Sequence, residues 1–496
     1  MTPGWGIQVS PPFWFFSMMR VSHPLPMWFV FLAIGLIAGV LSGCMNPSKS
    51  PAVEEITVTP TEKHQTLEGF GASGAWWAQD VGGWEDEKRD RIVDLLFNEQ
   101  AGIGLSIYRY NIGGGDGENI QDPWRKTETF EVSPGVYDWS RDANAVWVMK
   151  AAHAEGVEQF VAFANSPPAR MTVSGLTTGE KDGKSNLLPE MYDNYAQYLV
   201  DIVRHFQEEE NIPIKWISPV NEPQWQWSYE NGQEGCHYGP EEVLEVTRAL
   251  IHAVQENDLD VNVSVFESGQ WKNSQVYIGK LLNDPEVAPF LEHLAIHSYW
   301  SEASDKRPVV NYTNRNFPGT SFWMTEWTEM KEGRDTSMDS ALVLANTIHE
   351  DLSIANVTSW QYWIAVSRYF YHDGLIYVNV NDRSITETKR LWAMGNFSRY
   401  IKPGYVRVGA ESNDETIKVT AYQSSDQSQY VVLVINNAQE PVTMDITGIP
   451  ADFTNVRRYE TSAQYNLEAV DTEQPVGTYT YPAQSVTTLI YSQPGQ

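Results

Sequence analysis

A chain of 496 residues, 42% hydrophobic and 20% charged, is long enough for one large domain and one smaller domain, each with its own core. Its formal net charge of −30 argues against nucleic acid or other polyanions as partners, because their recognition needs clustered Lys and Arg. Such a charge is typical of a soluble protein that acts on neutral or weakly charged material.

The N-terminal residues 1–44 have the pattern of a secretion signal. Residues 27–40 are almost wholly apolar, a basic residue precedes them, and no acidic residue occurs before Glu54. This run is short for a membrane span and ends in Leu-Ser-Gly followed by Cys44, as in bacterial lipoproteins. We therefore predict a lipidated Cys44, a tether over residues 45–53, and an extracytoplasmic protein anchored by lipid to the bacterial membrane or cell surface. A plain signal peptide or an anchor helix is the alternative.

The first folded segments are a strand and a glycine-rich turn. Residues 54–65 contain a strand-like alternation, and the following Gly69, Gly71 and Gly74 match the G-x-G-x-x-G fingerprint of dinucleotide sites. That fingerprint needs a helix that opens at its last glycine, whereas two tryptophans and a further glycine pair follow here. We interpret the glycines as a tight strand end that lets a sugar approach the backbone and the aromatic faces.

From residue 66 to residue 402, apolar runs alternate with helical patterns. Eight strands are predicted when the glycine-rich segment is counted as the first, and only a weak segment separates the sixth strand from the seventh. Alternation of this kind predicts a parallel sheet, and eight units predict a (β/α)8 TIM barrel, with a doubly wound sheet as the alternative. The predicted strands cover residues 69–73, 103–110, 160–168, 216–223, 261–267, 294–300, 321–327 and 357–363, and the helices 86–99, 142–155, 188–209, 240–257, 273–282, 337–353 and 387–400.

Residues 403–496 differ from the preceding region in their periodicity. They lack long helical patterns and contain six short strand-like runs separated by turns. This composition predicts a side β-sandwich. The N-terminal strand in residues 54–65 has no place in the barrel, so we expect it to complete this sandwich.

Two of the barrel strands end on a glutamate. Glu222 ends the fourth predicted strand and Glu326 ends the seventh. The carboxyl ends of barrel strands form the active-site face, and the fourth and seventh strands lie opposite each other across its opening. Two such carboxyls are what retaining glycoside hydrolysis requires, one as acid/base and the other as nucleophile, and this chemistry needs no cofactor.

Further polar and aromatic residues fall at or near the predicted strand ends. Asn221 can hydrogen-bond a sugar 2-hydroxyl, and Arg109 can keep a carboxylate nucleophile ionised, although a purely structural ion pair is the alternative. Tryptophans at these ends, including Trp77, Trp225 and Trp300, offer stacking faces for a pyranose. The predicted substrate-binding residues are Arg109, Asn165, Asn221, His297, Tyr299, Trp363, Trp76, Trp227, Trp327 and Arg368.

Other hydrolase chemistries fit the sequence less well. His349-Glu350 lacks the second histidine of H-E-x-x-H, so we predict no metal site. The segment Gly71-Ala-Ser-Gly-Ala ends in alanine where the serine-nucleophile motif needs glycine. Cys236 is the only cysteine after Cys44, which rules out an internal disulfide and leaves its thiol a poor candidate for a nucleophile. A non-catalytic surface glycan-binding lipoprotein stays open, but a pure binder need not keep both glutamates.

Several short motifs occur in an order that resembles the clan A glycoside hydrolases, most closely family 30, from about residue 55 to the end. They are Glu68-Gly-Phe-Gly, Tyr108-Arg-Tyr-Asn-Ile-Gly-Gly, Asn165-Ser-Pro-Pro, Ser218-Pro-Val-Asn-Glu-Pro, His297-Ser-Tyr, Met324-Thr-Glu-Trp and Gly395-Asn-Phe-Ser-Arg-Tyr-Ile-Lys-Pro-Gly. The resemblance implies a barrel with a side β-sandwich built from both chain ends. It also implies Glu222 as acid/base and Glu326 as nucleophile, with Arg109, Asn221 and Tyr299 at supporting positions.

The same resemblance bears on the substrate. The motifs Asn-Ser-Pro-Pro and Asn-Ile-Gly-Gly-Gly are most similar to those of the endo-β-1,6-galactanase branch of the family. This similarity implies β-1,6-galactan side chains of arabinogalactan as substrate. Arg368, which follows the eighth predicted strand, could instead meet a uronic acid, so a glucuronoxylanase stays open, as does a β-1,6-glucanase.

Overall fold

A computed structural model of the chain describes residues 54–115, 119–470 and 477–494. The predicted signal, the lipidation of Cys44 and the tether lie outside the described residues. None of the helices within the described ranges has both the length and the apolar character needed to cross a bilayer.

Eight parallel strands form the wall of a closed barrel, which confirms the (β/α)8 prediction. The first strand pairs with both the second and the eighth, and the fifth is split into two segments that pair with the fourth and the sixth strand. The backbone N–H of Ser264, between the two segments, donates to the Ile217 carbonyl at 2.9 Å, so the wall stays continuous. The strands are Gly69–Ser73, Ile107–Ile112, Gln159–Ala164, Ile214–Ser218, Asn262–Val263 with Val265–Ser268, His293–Ile296, Ser321–Met324 and Ser359–Tyr362.

The alternation of side chains along these strands positions the site. A cluster of apolar side chains fills the inside of the barrel, and it consists of Ile107, Val161, Trp216 and Trp323. Successive strand residues point to opposite faces, so Arg109 and Phe163, two residues beyond Ile107 and Val161, also face inward but nearer the C-terminal opening. The barrel therefore has an apolar floor below a polar upper layer.

The helices form the outer ring and follow the predicted pattern, with two exceptions. The short helix Ala78–Val81 comes after the glycine-rich strand, where the sequence predicts no helix. Helix Ala303–Asn316 lies where the sequence shows only a weak segment, because it contains Pro308 and buries few apolar side chains. One of its buried residues is Lys306, whose ammonium group lies 2.8 Å from the Asp351 carboxylate. The α-helices are Ala78–Val81, Asp86–Phe97, Ala143–Ala154, Tyr192–Glu208, Pro240–Glu256, Gln275–Leu282, Ala303–Asn316, Met338–Glu350 and Lys389–Ser398. A π-helical turn at Asp351–Ala355 directly follows helix Met338–Glu350.

Short elements occupy the loops between these units. A two-stranded hairpin follows the second barrel strand, and a three-stranded sheet connects the eighth strand to the last helix. Their strands are Glu131–Ser133 with Val136–Tyr137, and Val366–Ser367, Ile376–Asn379 and Ser384–Glu387; the 3-10 turns are Pro123–Arg125, Ala169–Met171, Pro189–Met191, Tyr229–Asn231 and Ala288–Phe290.

The C-terminal region and the N-terminal strand together form the β-sandwich, as predicted. Strand Glu55–Thr66 lies inside its sheet, antiparallel to Val406–Ser412 and parallel to Val442–Thr447. Two strands escaped the sequence analysis, Asn466–Val470 and Thr478–Tyr481. In sheet order the nine strands are Asn466–Val470, Asn455–Thr461, Ser485–Ser492, Gln429–Asn436, Ile417–Gln423, Val406–Ser412, Glu55–Thr66, Val442–Thr447 and Thr478–Tyr481.

The sandwich packs on the barrel through one face of its sheet. Along strand Gln429–Asn436, Val432 and Val434 belong to the sandwich core, whereas the alternate residues Leu433 and Ile435 join the barrel core. A strand buried on both faces accounts for the continuous apolar run in this sequence. Asn396 of the last barrel helix donates to the Thr488 hydroxyl at 3.0 Å across the same contact.

Candidate active site

The two predicted catalytic glutamates lie close together at the C-terminal opening of the barrel. Glu222 lies four residues beyond the fourth strand and Glu326 two residues beyond the seventh, and both side chains are buried. One carboxylate oxygen of each, together with a ring nitrogen of His297, lie within 4.8 Å of one another. The backbone of Glu222 has a φ of 46° and its N–H donates to the Glu267 carbonyl at 2.9 Å, which fixes the turn that presents the carboxyl.

Arg109 contacts both Glu326 and Asn221, the neighbour of Glu222 in the chain. Its guanidinium is fully buried, because the second strand points it inward, and it lies flat against the Phe163 ring at 3.4 Å. Nη1 donates to Glu326 Oε2 at 2.8 Å and Nη2 donates to Asn221 Oδ1 at 2.9 Å. Nη2 also lies 3.4 Å from Glu267 Oε2. A buried cation in this position favours the ionised form of Glu326 and fixes its orientation.

The two glutamates differ in their hydrogen-bond partners. Tyr299 donates from its hydroxyl to Glu326 Oε1 at 3.1 Å, so that with Arg109 both oxygens of Glu326 accept a bond. Glu222 Oε1 lies 3.2 Å from His297 Nδ1, while its Oε2 accepts no hydrogen bond from a described residue. Glu326 is therefore held as an acceptor on both sides, whereas Glu222 keeps one oxygen for a ligand.

His297 is a charged bridge between three carboxylates. Its Nε2 lies 3.1 Å from Glu267 Oε2, which the Thr325 hydroxyl also contacts. Burial alone would lower the pKa of His297, but Glu326, Glu222 and Glu267 outweigh it and raise this pKa to about 9. The structure thus brings the predicted residue His297 into the site.

The surroundings shift the pKa of Glu267 and the pKa of Glu326 in opposite directions. Burial would raise the pKa of Glu267, but Arg109 and His297 lower it to about 2. Burial also raises the pKa of Glu326, against the effect of His297 and Arg109, and the nearby Glu222 raises it further. The charge of Glu222 therefore opposes ionisation of Glu326, whereas the donors on both Glu326 oxygens favour its ionised form.

Three asparagines at neighbouring strand ends form a chain of side-chain hydrogen bonds. Asn221 Nδ2 donates to Asn165 Oδ1 at 3.0 Å, and Asn165 Nδ2 donates to Asn111 Oδ1 at 3.0 Å. Arg109 determines which amide atoms donate along this chain of hydrogen bonds, because its N–H groups require the oxygen of Asn221 to face them. The predicted residues Asn165 and Asn221 are thus brought together with the glutamates.

The predicted tryptophans occupy different environments. Trp363 is half-buried and meets the edges of Trp76 at 5.1 Å and of Phe163 at 6.3 Å between ring centroids. It therefore keeps exposed ring surface next to the Phe163 ring on which Arg109 lies.

Trp76, Trp227 and Trp327 are only 6%, 8% and 7% exposed, which leaves little ring surface for stacking. Trp227 instead donates its indole N–H to the Glu222 carbonyl at 3.1 Å, and Trp327 packs on core aromatic rings. Trp77, which is fully buried, donates to the Ser73 carbonyl.

Arg368 is not brought together with the glutamates. Its guanidinium pairs with the Asp122 carboxylate and lies 5.3 Å from the Trp124 ring and 5.6 Å from the Tyr369 ring. Tyr369 donates its hydroxyl to the same carboxylate at 2.8 Å. Because Asp122 already neutralises this cation, Arg368 is poorly suited to meet a uronic acid.

Among the described residues, Glu222, His297 and Glu326 form a group with the spacing of metal ligands. A divalent cation would stand here beside the Arg109 guanidinium and the charged His297 ring, and like charges at such distances repel. The donors around the group therefore fit a pair of reacting carboxyls better than a metal centre.

Comparison with known proteins identifies the family of this chain. Residues 53–377 match the family described as O-Glycosyl hydrolase family 30, and residues 404–489 match the glycosyl hydrolase family 30 beta sandwich domain. The chain belongs to glycoside hydrolase family 30. It is therefore a glycosyl hydrolase, in agreement with the resemblance seen in its motifs.

Relatives of this family 30 enzyme have several specificities. It is 27% identical to an endo-beta-1,6-galactanase of Hypocrea rufa over 79% of this chain and 83% of that protein. It is 25% identical to a glucuronoxylanase of Bacillus subtilis (strain 168) over 92% and 96% of the two chains. The crystal structure of a conserved exported protein from Bacteroides fragilis superposes with a TM-score of 0.77 at 26% identity, covering 88% of this chain and all of that one.

Three residues of the family 30 site were missing from the predicted set. Glu267 ends the fifth predicted strand, so it is among the polar residues at predicted strand ends, but the sequence assigned it no role. Asn111 was visible as a polar residue at the end of the second strand. Phe163 carries no such signal, because an apolar residue in a buried strand reads as core until a cation is found against its ring.

Proposed function

We propose that this family 30 enzyme is a secreted endo-β-1,6-galactanase that cleaves the side chains of arabinogalactan by retaining double displacement. The observation that carries the mechanism is the proximity of Glu222 and Glu326, whose carboxylate oxygens lie within 4.8 Å. Retaining enzymes hold their two carboxyls about 5–5.5 Å apart, whereas inverting enzymes need roughly 6.5–9.5 Å to admit a water molecule.

In the first step, a Glu326 carboxylate oxygen attacks the anomeric carbon while Glu222 donates its proton to the departing glycosidic oxygen. The bond between the anomeric carbon and that oxygen breaks, and a glycosyl ester of Glu326 forms. In the second step, Glu222 takes a proton from water, whose oxygen attacks the anomeric carbon and releases Glu326 as a carboxylate. The hydrogen bonds support these roles, because Glu326 has donors on both oxygens and Glu222 has one oxygen free.

The residues around the pair assist in distinct ways. Arg109 and Tyr299 orient Glu326 for attack and stabilise the charge that it regains when it leaves. Asn221, fixed by Arg109 and Asn165, presents its amide to a sugar 2-hydroxyl, a contact that strengthens in the transition state. Trp363 offers half-exposed ring surface beside them.

The choice of substrate rests on the galactanase relative and on the galactanase-like motifs in the sequence. A glucuronoxylanase is the second candidate, since one relative has this activity, but the pairing of Arg368 with Asp122 counts against uronic acid recognition. A β-1,6-glucanase is the third candidate. We further propose that the enzyme is exported and anchored through a lipid on Cys44, which rests on the sequence pattern alone.

Product analysis tests the proposal. The protein without residues 1–44 is incubated with β-1,6-galactan, arabinogalactan, glucuronoxylan and β-1,6-glucan, with Glu326→Gln as the matched inactive control. We expect galacto-oligosaccharides from the first two glycans and a loss of at least about a thousandfold in the variant. Products from xylan or glucan alone would replace the galactanase assignment, and binding without cleavage of any glycan would favour a non-catalytic glycan-binding protein.

A further inference from the structure

The strand-end tryptophans of this site differ sharply in exposure, and Trp300 is the most exposed. It follows Tyr299, whose hydroxyl contacts Glu326, yet 62% of its surface is accessible. Its backbone has a φ of 47°, a left-handed conformation that is rare for a bulky side chain and occurs preferentially at functional sites. A large apolar ring kept exposed on a strained backbone beside a carboxylate pair points to a ligand.

The surroundings hold the Trp300 segment in place. The Ser301 hydroxyl donates to the Tyr299 carbonyl at 2.9 Å and accepts from the Trp271 backbone N–H at 3.1 Å. The Trp300 ring stands nearly perpendicular to that of Trp225, with centroids 5.8 Å apart, and lies 5.7 Å from that of Tyr299. Trp300 and Trp225, which we call the tryptophan corner, thus present one exposed and one half-buried ring.

Polar groups of the tryptophan corner, of Gln224 and of Glu222 converge at Gly269. A Cβ atom added at Gly269 would lie 2.5 Å from Trp225 Nε1, 2.7 Å from Glu222 Oε1 and 2.8 Å from Gln224 Nε2. The glycine has an ordinary backbone conformation, so it is needed here because these three polar groups approach it too closely to admit a Cβ atom. Both polar atoms of the Gln224 amide are buried and find no hydrogen-bond partner among the described residues, which is costly unless a ligand or water completes them.

We propose that the tryptophan corner binds the pyranose ring of the leaving group, with the Gln224 amide and the Trp225 indole N–H directed at its hydroxyls. This inference rests on the proposed function, because Glu222 marks the leaving-group side only if it is the acid/base. A sugar ring combines an apolar face with hydroxyl groups at its edge, which matches an exposed indole face beside unpaired donors and acceptors. The corner therefore selects glycans with a sugar on both sides of the scissile bond over glycosides of lipids or other aglycones.

Transfer of the glycosyl group to a sugar probes this site directly. In the second step a sugar hydroxyl can replace water: its oxygen bonds to the anomeric carbon, the ester bond to Glu326 breaks, and its proton passes to Glu222. The glycosyl donor is a 4-nitrophenyl glycoside of the oligosaccharide that the wild-type enzyme releases. Two acceptors compete with water for the glycosyl group: the same oligosaccharide without the nitrophenyl group, and methanol. Methanol is too small to stack on an aromatic ring. The ratio of transfer to hydrolysis with methanol therefore reports the chemical step alone, whereas the same ratio with the sugar acceptor also reports sugar binding.

We expect Trp300→Ala to lower transfer to the sugar by about tenfold relative to hydrolysis and to leave transfer to methanol unchanged. Trp300→Phe, which keeps an aromatic face, should give an intermediate ratio. The control is Phe290→Ala, an exposed ring that precedes the sixth strand at the opposite end of the barrel.

Unchanged sugar transfer in Trp300→Ala, or an equal fall with both acceptors, would overturn the tryptophan corner while leaving the glycosidase intact. No cleavage of any glycoside by the wild-type enzyme would instead overturn the proposed function, and the inferred subsite with it.

Discussion

The charge on His297 makes a prediction about stability and pH. Contacts with Glu326, Glu222 and Glu267 raise its pKa to about 9 in the folded protein, from 6.5 for a free imidazole. A raised pKa stabilises the folded state below the unfolded value, and this stabilisation is lost as the pH rises through the folded value. Each unit of difference corresponds to about 1.4 kcal/mol, so the protonated ring contributes about 3 kcal/mol that should disappear between about pH 6.5 and about pH 9.5.

Urea unfolding of the wild-type protein and of His297→Gln at these two pH values measures this contribution. The difference in unfolding free energy between the two proteins should shrink by about 3 kcal/mol from the lower to the higher pH, because glutamine cannot carry the charge. Groups that lie away from His297 titrate alike in both proteins and cancel in this comparison. Selective carbon-13 labelling of histidine would follow the titration of the ring itself.

His293→Gln is the matched control. His293 is also buried at a strand end of the same barrel, but burial lowers its pKa to about 3, and its ring stacks on Trp323 and contacts the Ser264 hydroxyl. Its difference from wild type should change by less than about 1 kcal/mol over the same interval and in the opposite direction. If the His297→Gln difference is equally large at both pH values, the ring is neutral and the bridge of charges described here is wrong.

Three further predictions concern the glutamates, the buried cation and the anchor. Glu222→Gln should spare the first step with activated aryl glycosides and slow the second, giving a burst of phenol before slow turnover; without a burst, the acid/base assignment fails. Arg109→Met leaves the carboxylates of Glu267 and Glu326 buried without their cation, so it should lower the unfolding free energy measured in urea by about 3–5 kcal/mol. A loss below about 1 kcal/mol would contradict the buried ion pair. Cys44→Ser should move the expressed protein from the membrane to the soluble fraction, and persistent membrane association would refute lipidation.

The sequence sufficed for those parts of the site that depend on strand periodicity. Ile107 and Arg109 share the inner face of one strand because side chains alternate, and Glu222 and Glu326 follow short apolar runs that fit the strand–helix alternation of the chain. These regularities are local, so the barrel and its carboxyl pair could be predicted without knowledge of any contact. The fourth predicted strand was nevertheless too long, because the strand ends at Ser218 and the turn to Glu222 is irregular.

Features that depend on loops or on distant partners could not be predicted in this way. The partner of Arg368 is Asp122, which lies 246 residues away in a loop, and no local pattern links them. The same holds for exposure, since Trp227 and Trp300 both follow strand ends and only the path of each loop buries one and exposes the other. Helix Ala303–Asn316 was missed because its apolar stripe is sparse and Pro308 interrupts its pattern.

The position of strand Glu55–Thr66 between Val406–Ser412 and Val442–Thr447 has a consequence for how the chain folds. The first strand of the sandwich sheet pairs with residues 340 or more positions away, and pairing across so long a separation is slow. During synthesis the first strand must wait, unpaired, until nearly the whole chain has emerged. A fragment of residues 403–496 expressed alone would carry two open strand edges in the middle of its sheet, so we expect it to aggregate unless residues 54–66 are supplied in trans.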